Sequence, residues 1–149
     1  MFLLAQASHT LETELTAGLA VLGISQRAHC VLSKALAGEL TQIRLAELCA
    51  LDKTTMVVTV DELEKAGLAE RLQSGADRRV RIVSVTEAGQ RVVAQANEIV
   101  AGIYADVLEA LPAGEREAFV DGLVRLVGGR LATPVPCERL PRRRAPRSP

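Results

Sequence analysis

The sequence predicts a mainly α-helical fold with one small β-hairpin, and three observations point to it. Apolar residues recur at helical spacing through most of the 149 residues. Two β-prone runs, 68–73 and 80–85, are joined by a polar, glycine-containing segment, the pattern of a hairpin. Aromatic residues make up only 2% of a chain that is 48% hydrophobic, so the core must be built from Leu, Val, Ile and Ala. A chain of this length suits one core, and residues 1–132 are expected to form a single domain.

Each element has its own signal. Leu11, Leu15, Leu19 and Leu22 fall at steps of three and four and predict a helix over 8–22, ended by Gly23. Ser25 is an N-cap for a second helix, in which Ala28, Val31, Leu32, Ala35 and Leu36 form the buried stripe and Gly38 ends the run. Thr41 caps a short third helix carrying Leu45, Ala46, Leu48 and Cys49. After Ala50-Leu51, Asp52 caps a fourth, from Lys53 to about Ala66, with Gly67 as terminator. Residues 54–60, TTMVVTV, are β-branched almost throughout and read as a strand in isolation. Met56, Val60 and Leu63 nevertheless keep helical spacing, and the Asp52 cap and the DELEKAG ending agree with a helix.

Beyond the hairpin, Thr86 caps a long helix reaching about Ala110. Its apolar residues form two stripes, one of Val92, Ala96, Ile99, Ile103 and Ala110, the other of Val93, Val100, Tyr104 and Val107. Two apolar faces need two partners, its own domain and, most simply, a second subunit. A last helix, 113–131, carries Phe119, Leu123, Leu126 and Val127. The end of the chain, 133–149, holds five of the six prolines and five arginines against one glutamate, the composition of a disordered basic tail.

Several function classes are excluded. Cys30, Cys49 and Cys137 are widely spaced, with no CxxC, so neither a metal site nor a disulfide framework is expected. There is no convergent Ser/His/Asp set and no phosphate loop, and His9 and His29 both lie in the N-terminal fifth, so we expect no catalytic residue, no enzyme activity and no cofactor. The N-terminal apolar run lacks a basic leader, and no stretch approaches ~18 uninterrupted apolar residues, so a cytoplasmic protein without a membrane partner is expected. Basic and acidic residues balance at 18 each, and the basic tail leaves a mildly acidic body. Any contact with nucleic acid must therefore come from locally placed cations.

The order helix, short helix, tight turn, helix, hairpin, long helix is that of a winged helix-turn-helix. The second helix of such a motif puts its N-terminal residues into the major groove of double-stranded DNA. Here those are Lys53, Thr54, Thr55, Val57 and Val58, whose hydroxyls suit phosphates or base edges and whose methyls suit thymine methyls. The hairpin region adds Arg71, Arg78, Arg79 and Arg81. A planar guanidinium fits a narrow minor groove or clamps a phosphate. Asp77, beside Arg78, can pair with a neighbouring arginine and orient the tip.

Leu45-Ala46, LEKAGL at 63–68, Asp77-Arg78-Arg79 and Thr86-Glu87-Ala88-Gly89 stand in the order and at the spacing of the MarR family of bacterial winged-helix regulators, which this chain resembles over residues 8–131. The resemblance implies a winged helix-turn-helix core over 39–97 and dimerisation helices over 8–38 and 98–131. It implies a homodimeric, nucleoid-associated repressor on a pseudo-palindromic operator, released by a small organic anion. Arg78, Arg79 and Arg81 would be the wing cations, with Asp77 orienting them. Arg27 and His29 lie near the expected effector pocket. The chain departs from the family pattern at Val58 and Glu62, where basic residues are usual, and at Ala50, which replaces the usual turn glycine. Two alternatives stay open: a thiol-oxidation sensor acting through Cys30, and a winged-helix protein-interaction module with weak DNA binding.

Overall fold

A computed structural model describes residues 2–74 and 81–133. The chain divides into two compact units, Met1–Val107 and Leu108–Pro149. The first holds α1 (Phe2–Ala20), α2 (Gln26–Ala35), β1 (Leu40–Thr41), α3 (Gln42–Leu48), α4 (Lys53–Lys65), β2 (Ala69–Gln73), β3 (Arg81–Val85) and most of α5 (Glu87–Glu109). The mainly helical winged helix-turn-helix architecture read from the sequence is the one observed.

Local capping sets most boundaries. Ser25 Oγ accepts from the Ala28 N–H at 3.2 Å, and Thr41 Oγ1 accepts from the Arg44 N–H at 3.1 Å. Thr86 Oγ1 accepts from the Gly89 N–H at 3.1 Å and donates to the Gly67 carbonyl at 2.7 Å, tying the start of α5 to the end of α4. Each bond satisfies backbone groups that a helix end leaves without partners.

Two local expectations are corrected. α1 begins at Phe2, well before Ser8, although Phe2, Leu3 and Leu4 are exposed and only Leu15 and Leu19 of the helix are buried. Residues 3–7, LLAQA, are strong helix formers with no breaker, so propensity extends the helix beyond the buried stripe. The hairpin also gains a third strand. β1 pairs antiparallel with β3 (Leu40↔Val83, Thr41↔Ile82), and the sheet order is β1-β3-β2. A strand of two residues offers no alternation to detect.

The core centres on Leu19, Val31, Leu32, Leu45, Met56, Val60, Leu63, Val83, Val93 and Ala96. TTMVVTV lies within α4 and supplies Met56, Thr59 and Val60 to that core. Thr59 is the one buried polar residue among those described, and its hydroxyl donates to the Thr55 carbonyl at 2.8 Å. Burial of the apolar stripe, together with the Asp52 cap, outweighs β-branched propensity, which is worth only tenths of a kcal/mol per residue. On α5, Gly89, Val93 and Ala96 are buried, while Tyr104 and Val107 are exposed.

The second unit contains α6 (Ala113–Gly128), which ends before the expected Leu131. Arg116 donates to the carbonyls of Leu111 at 3.0 Å and Glu109 at 3.2 Å, engaging the chain just before α6. No residue of α6 is buried, and Phe119, Leu123, Val124, Leu126 and Val127 are all exposed. No helix among the described residues is long and apolar enough to cross a membrane.

Candidate nucleic-acid interface

The turn of the helix-turn-helix is a Schellman motif. Leu51 N–H donates to the Ala46 carbonyl at 2.9 Å and Ala50 N–H to the Glu47 carbonyl at 3.2 Å. α4 ends the same way, with Leu68 N–H on Leu63 O and Gly67 N–H on Glu64 O, both at 2.9 Å. The left-handed residue is Gly67 (φ 69°) in the second case but Ala50 (φ 51°) in the first. Alanine there carries a steric cost of about 1–2 kcal/mol, while glycine costs about 0.5–1 kcal/mol more chain entropy on folding. Ala50→Gly is therefore expected to stabilise the fold by about 0.5–1 kcal/mol, read as a rise in thermal unfolding temperature.

The N-terminus of α4 is organised by Asp52. One carboxylate oxygen accepts the N–H groups of Thr54 at 2.9 Å and Thr55 at 3.0 Å, and the other accepts the Thr55 hydroxyl at 2.6 Å. Lys53, Thr54, Val57 and Val58 are exposed, while Thr55 is half-buried with its only hydroxyl proton committed to Asp52. Of the five positions read from the sequence, four thus present side chains to solvent on the first turns of α4, and Thr55 acts as part of the cap.

The hydrogen bond from the Thr55 side chain, with those from the backbone, lowers the Asp52 pKa below the ordinary carboxylate range. A depressed acid contributes stability that is present above its unfolded pKa and is lost as pH falls through the folded one. Asparagine caps about as well as aspartate but does not titrate. The unfolding temperatures of wild type and Asp52→Asn should therefore differ most at neutral pH and converge as the pH drops below about 4. A difference independent of pH would show that the charge does not stabilise the cap.

On the hairpin, Arg81 is exposed at the start of β3, opposite Gln73, and makes no ion pair among the described residues. Asp77, Arg78 and Arg79 lie outside the described residues. Arg71 does not join the exposed cations. Its guanidinium contacts Glu64 and Asp61 of α4, the latter at 2.6 Å, and its side chain is only 17% exposed. In sequence, Arg71 groups with the hairpin arginines. The available signal was the Asp61/Glu64 pair, three residues apart on one face of α4.

Arg27 is exposed, and His29 Nε2 bonds to Asn97 Oδ1 at 2.9 Å, linking α2 to α5. Two cavities among the described residues lie elsewhere. One, of about 300 Å³, lies between the end of α2 and the sheet, lined by Leu36, Leu72 and Ile82. The other, of about 460 Å³, lies between α3 and α4, lined by Ile43, Ala46, Leu51, Lys53, Met56 and Val57. Neither is lined by Arg27 or His29. Cys30 and Cys49 are free and half-buried. Burial, reinforced by a hydrogen bond with Cys30, pushes the Cys49 thiol up to about 12, which keeps it protonated at neutral pH.

A family model described as MarR family matches residues 22–80, from the turn after α1 through the segment after β2. Among solved structures, a MarR-family transcriptional regulator from Rhodococcus sp. RHA1 is 27% identical, with 84% of this chain and 89% of that one covered and a TM-score of 0.73. CouR from Rhodococcus jostii RHA1, solved bound to p-coumaroyl-CoA, is also 27% identical, with 92% and 94% covered and a TM-score of 0.74. Wild-type MarR from E. coli, in its apo form, shares the fold at 23% identity, with 84% and 93% covered and a TM-score of 0.73.

Proposed function

We propose, from the match of residues 22–80 to the MarR family model, that the chain is a sequence-specific DNA-binding regulator of that family: a homodimeric repressor on a pseudo-palindromic operator, released by a small organic anion. One observation carries the reading: the capped N-terminus of α4 presents Lys53, Thr54, Val57 and Val58 to solvent in the same unit as a hairpin bearing Arg81. A helix N-terminus with exposed hydroxyls and a cation suits both a phosphate and base edges. The wing cations Arg78 and Arg79, oriented by Asp77, would complete the grip in the minor groove. The protein would act where a bacterium keeps its chromosome, in the cytoplasm.

The dimer is supported by apolar surface that each unit leaves uncovered. In the first unit this includes Phe2, Leu3, Leu4 and Tyr104, and in the second Phe119, Val124 and Val127. Exposed apolar stripes of this kind are the mark of a helix awaiting a partner. Two copies would set recognition helices about 34 Å apart, the spacing of successive major grooves on one face of B-DNA. An effector that changes this spacing needs a coupling of only about 1–3 kcal/mol to act as a switch. The acyl-CoA bound to CouR is an anionic ligand of the class proposed.

The test is an anisotropy titration of the full chain against a duplex that it selects from a random pool and against a scrambled duplex of equal length. Selected DNA should bind at least about a thousandfold tighter at the same salt. Equal affinity for both duplexes would remove the regulator reading.

A further inference from the structure

We infer that Arg71 is a positioning residue: it locks the wing strand β2 against the recognition helix α4 and makes no contact with DNA itself. The inference rests on the DNA-binding reading above and assigns one side chain the task of holding the two reading elements in register. The Arg71 guanidinium donates through Nη1 to Glu64 Oε2, through Nη2 to Asp61 Oδ1 at 2.6 Å and through Nε to Gln42 Oε1 at 3.4 Å. Its backbone N–H donates to Glu64 Oε1 at 2.8 Å. β2, α3 and α4 therefore meet at one planar cation, and both oxygens of Glu64 are occupied by the same residue.

Charge and exposure argue against a DNA contact. One cation faces two carboxylates, so the cluster as a whole is negative and repels phosphate. The guanidinium is mostly covered, and its donors point into the α3–α4 side of the strand. Arg71 lies in the same short strand that leads into 75–80, the segment carrying Arg78 and Arg79. The bridge ties β2 to α4. Lysine cannot replace it, because a compact ammonium lacks the planar fork that meets two carboxylates and an amide oxygen together.

The experiment uses the full chain, with Arg71→Lys and Asp61→Asn compared with wild type on the duplex that wild type selects and on its scrambled control. Arg71→Lys should keep a cooperative thermal transition, lose about tenfold in affinity for the selected duplex, and leave the scrambled duplex unchanged. Asp61→Asn gives a second reading if Arg71→Lys does not fold, because Asp61 is largely exposed and its loss leaves no buried charge. Removing this acid should hold or raise affinity for scrambled DNA by simple electrostatics, yet lower affinity for the selected duplex.

A direct phosphate contact by Arg71 would instead show in Arg71→Gln, which removes the cation, as equal weakening on both duplexes and a salt dependence flatter by about 0.9 in log–log slope, which overturns the proposal. So would a lowered unfolding temperature with discrimination intact, because that is the mark of a purely structural bridge. If wild type itself fails to discriminate, the regulator reading has failed first, and that result is visible before any variant is measured.

Discussion

The double substitution Arg78→Glu, Arg79→Glu is expected to weaken binding to the selected duplex by at least about a hundredfold, with little change in unfolding temperature. Each arginine–phosphate contact releases about 0.9 of a counterion, so losing two should reduce the log–log salt slope by about 2. A charge-assisted hydrogen bond contributes about 1.5–3 kcal/mol, and an introduced carboxylate adds repulsion from the same phosphates. The dependence should be strong here because the chain as a whole carries no net positive charge. Basic and acidic residues balance at 18 each, and α4 carries Asp61, Glu62 and Glu64 beyond its exposed first turns. The measurement is a set of titrations across a salt series, beside a thermal melt. Unchanged affinity and unchanged regulation would favour the alternative of a winged-helix interaction module.

Gly89→Ala is expected to lower stability by about 2 kcal/mol, and the unfolding temperature by roughly 5–10 °C, although alanine normally strengthens a helix by about 1 kcal/mol. A Cβ on Gly89 would stand 2.1 Å from the Leu68 carbonyl oxygen and 2.7 Å from Val85 Cγ1. The oxygen cannot easily retreat. Leu68 O accepts the Thr86 N–H at 3.1 Å, and Thr86 Oγ1 is bonded to Gly67 O at 2.7 Å, so the obstacle is part of the joint between α4 and α5. α5 must therefore move away from that joint, opening the packing around Val93 and Ala96. Gly102→Ala is the control in the same helix, since nothing lies within 4 Å of a Cβ there, and it should raise stability by up to about 1 kcal/mol. A melt in which both variants gain stability would show that the close approach at Gly89 does not exist in solution.

Much of the fold was legible because its determinants are local. Ser25, Thr41, Asp52 and Thr86 each cap backbone N–H groups two or three residues ahead, so sequence alone locates those helix starts. The strand-like TTMVVTV was legible as a helix because the spacing of Met56, Val60 and Leu63 records which face is buried. The exposed positions Lys53, Thr54, Val57 and Val58 follow from the same periodicity. Thr55 does not, because its hydroxyl chose the cap over solvent.

The succession of elements, their caps, and the face of each helix that seeks burial are written in the residue order, because contacts within a turn or two of chain set all of them. Only packing reveals the pairing of β1 with β3, the close approach that leaves no room for a side chain at position 89, and the use made of Arg71. Arg71 reads in sequence as one more hairpin cation, yet its partners stand 7, 10 and 29 residues away. A charge is visible in a sequence, but the partner that neutralises it is chosen only when distant segments pack.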